Sequence, residues 1–320
     1  MTTPPSTRSL SIPSPHAGLR LGLTHTPPTR ALFPSPKPVL YVHGGTFPSA
    51  LAVGFRFDGR AWRDDLCDAG FDVWTLDFLG FGRASDPYPE FDAPAEGREP
   101  LGRAEDASRQ LEAAIRHILT DQDLDRISLV AHSWGSIVAG RLAGRAPELV
   151  DRLVLFGPIA RREPQGERIR LPAWRLISLQ DQWNRFTETV PPGEAPVLLK
   201  RHFDPWGEAY LDVDPESRTR SPAAVKVPGG AFQDIYDAWA GELAYDPGLV
   251  RAPVAIIRGE WDNLSTDADA RWLFDAFKAA PMRRDIKIGK ATHLVHLETG
   301  RAALYRETAA FLAGGDAVPA

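Results

Sequence analysis

Short apolar runs that alternate with amphipathic segments constrain the fold of this chain more than any other feature of its sequence. The apolar runs are residues 39–42, 71–76, 127–131, 153–156, 254–257 and 286–288. Such runs are typical of parallel strands buried on both faces. Between two of them, Ala107, Leu111 and Ile115 lie at helical spacing within residues 104–119. The alternation predicts an α/β fold with a doubly wound, mostly parallel sheet.

A long segment, residues 161–251, interrupts this alternation. It carries prolines, charges and scattered aromatic residues but no β-rich run, and residues 174–186 and 232–243 have helix-like patterns. Interruptions of this length are usually functional, and this one follows a strand end, where open α/β sheets bind their ligands. We therefore predict a mainly helical lid over residues 161–251, inserted into a core formed by residues 1–160 and 252–320. The alternative is an insertion that has no role in ligand binding.

The ends of the sheet and of the chain are less clearly marked. Residues 19–23 predict an antiparallel edge strand. Residues 1–15 are rich in proline and contain no apolar run, so we expect an extended arm there and neither a secretory signal nor a membrane anchor. No stretch elsewhere approaches the roughly 18 apolar residues that span a membrane, and the expected compartment is the cytoplasm.

Composition excludes several classes of partner. The formal net charge is -5, with both signs interspersed, so neither nucleic acid nor a membrane is expected as a partner. A small, neutral or apolar substrate fits better, and the sequence leaves the oligomeric state open. Because Cys67 is the only cysteine, the chain has no internal disulfide and no cysteine-based metal cluster.

The clearest candidate for chemistry is Ser133, which lies where an apolar strand runs into a helix rich in small residues. A serine hydroxyl becomes a useful nucleophile only beside a base, and a tight turn at a strand end presents it to solvent. The helix that follows places free N–H groups beside the charge that develops on a substrate oxygen, and the backbone N–H of Trp134 is the first such donor. A structural serine in a small-residue turn is the alternative.

The segment Ala131-His132-Ser133-Trp134-Gly135 resembles the G-x-S-x-G motif of the α/β-hydrolase family, with Ala131 in place of the first glycine. A second segment, His43-Gly44-Gly45-Thr46, resembles that family's oxyanion loop. The resemblance implies that the N–H of Gly45 is the second oxyanion donor, with Thr46 as the substitute, and that His43 is structural. It also implies a structural role for Asp77, in a segment that resembles D-x-x-G-x-G.

In this family the remaining members of the triad follow in the order acid, then histidine. Asp262 follows a strand with Gly-x-x-Asp spacing that resembles the family pattern, and Glu260 and Asp267 are its rivals. His293 follows the last strand and precedes a glutamate by five residues, as in the family. His296 is its rival. The resemblance thus implies a triad of Ser133, Asp262 and His293.

The expected activity is that of a serine hydrolase of the esterase, lipase or lactonase branch, which cleaves a carboxylic ester or lactone through an acyl-enzyme. No metal or organic cofactor is implied. Carbon–carbon bond hydrolysis, aminopeptidase action and acyl transfer with the same triad remain open, as does a receptor that binds without turnover. Acidic residues of the predicted lid are either solvated surface charges or available for a substrate amine; they are Glu163, Glu167 and Asp181. Aromatic residues of the same segment are candidates for an apolar pocket or for the segment's own core; they are Trp174, Trp183, Phe186, Trp206, Phe232, Tyr236 and Trp239.

Overall fold

An eight-stranded sheet forms the centre of the molecule in the computed structural model, which describes residues 6–164 and 169–314. In chain order the strands are β1 (Arg8–Pro13), β2 (Arg20–Thr26), β3 (Pro38–Val42), β4 (Asp72–Asp77), β5 (Ile127–His132), β6 (Val150–Phe156), β7 (Trp174–Ser178), β8 (Ala224–Pro228), β9 (Val254–Gly259) and β10 (Arg283–Ile288). The central sheet has the order β1-β2-β4-β3-β5-β6-β9-β10. From β4 to β10 all neighbours in it are parallel. The predicted α/β fold is therefore present, and each predicted apolar run lies within a strand or begins one residue before it.

The antiparallel end of the sheet differs from the prediction. Residues 19–23 belong to β2, which pairs with β4 on one side and with β1 on the other, so β2 is not the edge. The expected arm supplies the edge strand because its polar and apolar residues alternate: Ile12 is buried and pairs with Leu21. The prolines that flank this alternation obscured it.

Helices cover both the sheet and its carboxyl edge. They are α1 (Trp62–Asp68), α2 (Ala104–Gln122), α3 (Trp134–Arg145), α4 (Leu179–Thr187), α5 (Lys200–Leu211), α6 (Gly230–Trp239), α7 (Asp267–Ala276) and α8 (Arg301–Ala313). The helix predicted over residues 104–119 is α2, and it packs against α3, the helix that follows Ser133. No helix in the described part of the chain is both long enough and apolar enough to cross a membrane.

Residues 161–251 contain helices α4, α5 and α6 and also a separate antiparallel pair of strands, β7 and β8. The expected helix over residues 174–186 is wrong in its first part, and the expected absence of a β-rich run is wrong as well. Ser178 explains where the helix begins: its Oγ accepts from the backbone N–H of Asp181, and the Asp181 carboxylate accepts from the N–H of Ser178. This capping box starts α4 after the strand.

Polar contacts hold this segment on the carboxyl edge of the sheet. The buried carboxylate of Asp234, on α6, accepts hydrogen bonds from the indole of Trp134 at 2.8 Å and from the N–H of Ala104 at 2.6 Å, and it pairs with Arg103. The indole of Trp206 donates to the carbonyl of Leu51 at 2.9 Å. The segment is thus joined to the beginnings of α2 and α3 and to the loop after β3.

Candidate active site

Ser133 occupies a strained turn between β5 and α3. Its φ of 54° and ψ of -124° lie in a backbone region that residues other than glycine rarely adopt. The turn is held because the N–H of Ser133 donates to the carbonyl of Phe156 on the neighbouring strand at 2.9 Å. Backbone strain of this kind is concentrated at functional sites, where it fixes the direction of one side chain.

Glycines let the loop after β3 approach this turn. A Cβ on Gly135 would lie 2.5 Å from the carbonyl oxygen of His43, and one on Gly44 would lie 3.3 Å from the Cβ of Ser133. Real Cβ atoms essentially never come within 3.0 Å of another heavy atom, so position 135 accepts no side chain without movement of the backbone. The two loops therefore meet beside Ser133.

Two backbone N–H groups are candidates for an oxyanion site where the loop after β3 meets the serine turn. Trp134 is the first residue of α3, where an N–H has no acceptor within its own helix. The N–H of Gly45 has no hydrogen-bond acceptor among the described residues. A Cβ built on Gly45 would lie 3.8 Å from the Cβ of Trp134, so the two predicted donors are neighbours.

His43 supports the loop through both of its ring nitrogens. Nδ1 lies 2.7 Å from the carbonyl oxygen of Gly44, and Nε2 accepts from the backbone N–H of Phe78 at 3.1 Å. Burial lowers the pKa of His43 to about 4, so the ring is neutral at physiological pH. Neither nitrogen is available to a substrate, which agrees with a structural role.

His293 and Asp262 form a buried hydrogen-bonded pair. Nδ1 of His293 lies 2.9 Å and 3.0 Å from the two carboxylate oxygens of Asp262, whereas Nε2 has no partner among the described residues. The carboxylate is fixed in turn by the N–H groups of Leu264 and Ser265, at 2.9 Å and 3.0 Å. Since Nδ1–H donates to Asp262, Nε2 carries the lone pair that can accept a proton.

The loop that carries His293 is bound directly to the serine turn. His132, the residue before Ser133, donates from Nε2 to the carbonyl of His293 at 3.2 Å, and the centroids of the two rings are 5.0 Å apart. Glu298 braces the same loop by accepting from the N–H of Thr292 at 3.1 Å and from its hydroxyl. These contacts place the loop of the His293–Asp262 pair against the turn that carries Ser133.

The rival acids and the rival histidine make other contacts. Glu260 accepts from the N–H of Lys290, and Asp267 is exposed and pairs with Arg258 and with a lysine of β10. His296 is fully buried, with its ring centroid 4.6 Å from that of His132 and no hydrogen bond from either nitrogen. Burial lowers the pKa of His296 to about 3. None of the three contacts the His293–Asp262 pair through a hydrogen bond.

Gly157 was missed at the sequence level, although it follows β6 at the same sheet edge. Its φ is +53°, and a Cβ there would lie 2.9 Å from Nδ1 of His293 and 3.2 Å from a carboxylate oxygen of Asp262. A side chain at this position would displace the pair. A glycine immediately after a buried strand was the available signal.

The predicted pocket aromatics do not form one surface. Phe186 and Trp206 are buried with ring centroids 5.0 Å apart, Trp206 lies 5.2 Å from Phe47, and Trp183 joins this cluster through Phe203. Phe47 follows the predicted oxyanion loop, so this cluster reaches the site.

The remaining predicted aromatics lie elsewhere. Trp174 donates to the carbonyl of Ala93 and lies under Lys226. Tyr236 and Trp239 form a separate pair on α6, and Phe232 lies under Arg175. Of the acidic residues considered for a substrate amine, Asp181 caps α4, Glu163 is exposed beside Arg161, and Glu167 falls outside the described residues.

A cavity of about 450 Å³ lies between the loops after β3 and β4 and residues 213–227. Thr46, Phe81, Phe91 and Val225 are among the residues that line it, whereas Ser133 and the predicted pocket aromatics are not. The volume is in the range of small-molecule sites. Among the described residues, no group of three histidine, cysteine or acidic side chains is placed to hold a metal ion.

Comparisons with known proteins place these features in a family. A family model described as the alpha/beta hydrolase family matches residues 39–307. A homoserine O-acetyltransferase of Deinococcus radiodurans is 25% identical over 248 residues, which cover 71% of this chain and 63% of that protein. A haloalkane dehalogenase of Mycolicibacterium paratuberculosis is 29% identical over 166 residues, which cover 49% and 43%. This chain therefore spans less than two thirds of the length of either relative.

A thermophilic esterase from Thermogutta terrifontis has a similar structure. Its TM-score is 0.60, with 17% sequence identity and coverage of 96% of this chain and 98% of the esterase. At this identity the likeness concerns the fold.

Proposed function

The chain belongs to the alpha/beta hydrolase family, and we propose that it is a serine hydrolase that cleaves a carboxylic ester or lactone of a small substrate through an acyl-enzyme. Ser133 is the proposed nucleophile and His293 the proposed base. Asp262 orients His293 and stabilises the cation that His293 forms. One observation carries the proposal: Nδ1 of His293 is bound to a buried carboxylate while Nε2 is left without a partner.

The proposed reaction follows from these contacts. Nε2 of His293 takes the proton of the Ser133 hydroxyl as Oγ attacks the carbonyl carbon. The N–H groups of Gly45 and Trp134 bind the resulting oxyanion. His293 then gives the proton to the leaving alkoxide, which departs as an alcohol. A water molecule, deprotonated by His293, attacks the acyl-enzyme, and His293 returns that proton to Oγ of Ser133 as the acid is released.

The buried carboxylate of Asp262 stabilises the imidazolium that forms in both steps. Because Asp262 already accepts two backbone N–H groups, its carboxylate is held in place beside His293 without movement of the chain. Its bond to Nδ1 keeps the lone pair of His293 on the side of the reacting atoms.

A serine at the turn also separates this proposal from the activity named for one relative. Dehalogenases of this fold have a similar architecture but use an aspartate as the nucleophile. This chain has a serine, Ser133, at the turn between strand and helix. The similar structure from Thermogutta terrifontis is that of an esterase, which agrees with the serine. Within the proposal, residues 161–251 act as the lid, since α6 and α4 both reach the oxyanion loop through Ala231 and Arg185.

The test compares wild type with Ser133→Ala on p-nitrophenyl esters of rising acyl length and on a few lactones. Ser128→Ala is the matched control because Ser128 lies on the same strand, away from the turn. We expect Ser133→Ala to lower kcat roughly 10⁴-fold or more, Ser128→Ala to remain active, and a fluorophosphonate to label Ser133. Equal turnover by wild type and Ser133→Ala would overturn the nucleophile assignment. Absence of ester and lactone turnover in wild type would overturn the substrate class.

A further inference from the structure

Arg185, on α4, holds a positive charge against the oxyanion loop. Its Nη1 donates to the hydroxyl of Thr46 at 3.0 Å and to the side-chain oxygen of Gln182 at 3.1 Å. Both acceptors are neutral and buried. No carboxylate forms an ion pair with Arg185 among the described residues, although other arginines that reach the core, Arg103 and Arg258, pair with aspartates.

The surroundings of Arg185 contain more hydrogen-bond donors than acceptors. The hydrogen bonds of the guanidinium among described residues all come from Nη1, which leaves Nε and Nη2 without an acceptor. The side-chain nitrogen of Gln182 is also buried without a partner. Arg185 is half-buried, and the charges of Glu188 and Asp181 act on it without forming an ion pair. A cation that is partly removed from water is stabilised by an anion bound directly to it. Nε and Nη2 are therefore free to bind an anionic acceptor.

The position of Arg185 relates these free donors to the reaction. Thr46 follows Gly45, the proposed oxyanion donor, and the next residue of α4, Phe186, packs against Phe47. Burial lowers the pKa of His132 well below its usual value, and the charge of Arg185 contributes after those of His296 and His293. Arg185 thus lies within electrostatic range of the residue that precedes Ser133.

We propose that Arg185 binds a carboxylate of the substrate, so that the preferred substrate is an ester whose acyl part carries a second, free carboxylate. Nε and Nη2 lie on one edge of the planar guanidinium and match the two oxygens of a carboxylate. The unpartnered amide nitrogen of Gln182 is available as a further donor. This inference rests on the proposed ester hydrolysis and refines the expectation of a substrate without charge.

The experiment compares two p-nitrophenyl esters of matched length, the glutarate monoester and the pentanoate, which differ by a carboxylate in place of a methyl group. The variants are Arg185→Gln and Arg185→Lys. Arg201→Gln is the control because it removes an exposed charge from the neighbouring helix α5. Circular dichroism and Tm verify that each variant is folded, and Arg185→Lys keeps the test open if Arg185→Gln does not fold.

We expect the ratio of kcat/KM for the glutarate ester to that for the pentanoate to fall roughly 10- to 100-fold in Arg185→Gln, the range of one charge-assisted hydrogen-bonded contact. Arg185→Lys should recover part of the ratio, since it keeps the charge and loses the planar fork. Arg201→Gln should keep the wild-type ratio. A ratio that is unchanged in Arg185→Gln, whether both rates fall together or neither does, would overturn the proposal.

Binding of free glutarate separates this inference from the proposed function, because it needs no turnover. We expect calorimetry to show glutarate binding to wild type and to Ser133→Ala, and at least tenfold weaker binding to Arg185→Gln. If no ester is cleaved but this pattern holds, the carboxylate site stands while the ester hydrolase proposal fails. If wild type binds no glutarate and shows no preference for the glutarate ester, the carboxylate site is refuted.

Discussion

Gly157 is the position at which one added methyl group tests the His293–Asp262 pair most directly. The substitution Gly157→Ala would place a Cβ 2.9 Å from Nδ1 of His293 and 3.2 Å from a carboxylate oxygen of Asp262. Ordinary van der Waals contact begins at 3.4 Å. The histidine must therefore move by about 0.5 Å, the difference between 2.9 Å and 3.4 Å, or lose its bond to Asp262.

The size of the effect follows from this displacement. A misplacement of about 1 Å costs on the order of 10²-fold in rate, so a shift of about half that size should lower kcat/KM roughly tenfold. The positive φ of position 157 costs alanine about 1 kcal/mol, and crowding adds about 1–3 kcal/mol. We therefore expect the free energy of unfolding to fall by about 2–4 kcal/mol while the protein still folds.

Gly97→Ala is the matched control, because Gly97 has a φ of +73° and a Cβ there would meet nothing within 4 Å. It carries the backbone cost alone. The assay is kcat/KM on one p-nitrophenyl ester together with urea denaturation of both variants. If Gly157→Ala retained the activity of Gly97→Ala, then either Gly157 does not support the pair or the position of His293 does not limit the reaction.

Two further predictions concern the loop of His293. Burial raises the pKa of Glu298 to about 7 from 4.5, so the folded state keeps a proton that the unfolded chain loses, and stability falls as pH rises through this window. Glu298→Gln should remove up to about 3 kcal/mol of that fall, measured by urea denaturation at pH 4.5 and 8, and an equally steep profile would contradict the assignment. His296→Leu should keep kcat/KM within about threefold of wild type, whereas His293→Leu should lose on the order of 10³-fold or more. Equal losses would leave His293 without a special role as the base.

The buried strands could be predicted because their signal is local. Parallel strands that are covered on both faces read as continuous apolar runs, and all six such runs form strands of the central sheet. The pair of β7 and β8 gives no such signal, since Trp174 and Lys226 place bulky and charged side chains within strands of five residues. A short two-stranded sheet depends on its partner rather than on its own periodicity.

The candidate site likewise contains some residues that local motifs predict and others that they do not. The serine turn and the two downstream loops follow strands of the sheet, so short motifs locate Ser133, Asp262 and His293. Gly157 had only the weak signal of a glycine after a buried strand, and Arg185 had none, because the importance of both arises from contacts across the chain. Arg185 meets Thr46 from 139 positions away. An arginine without an ion pair leaves no pattern in a sequence that contains 37 lysine and arginine residues.

Contacts from residues 161–251 converge on two adjacent residues of the oxyanion loop. A Cβ on Gly45 would lie 2.9 Å from the Cβ of Ala231 on α6, and Thr46 accepts its hydrogen bond from Arg185 on α4. Since the N–H of Gly45 is a proposed oxyanion donor, a movement of α4 or α6 that is transmitted through these contacts would displace that donor. A carboxylate bound at Arg185 would fix α4 against Thr46 and thereby fix the adjacent donor. Substrate recognition and oxyanion stabilisation would then depend on the same short segment of chain, and a substrate that lacks the carboxylate would lose rate as well as affinity.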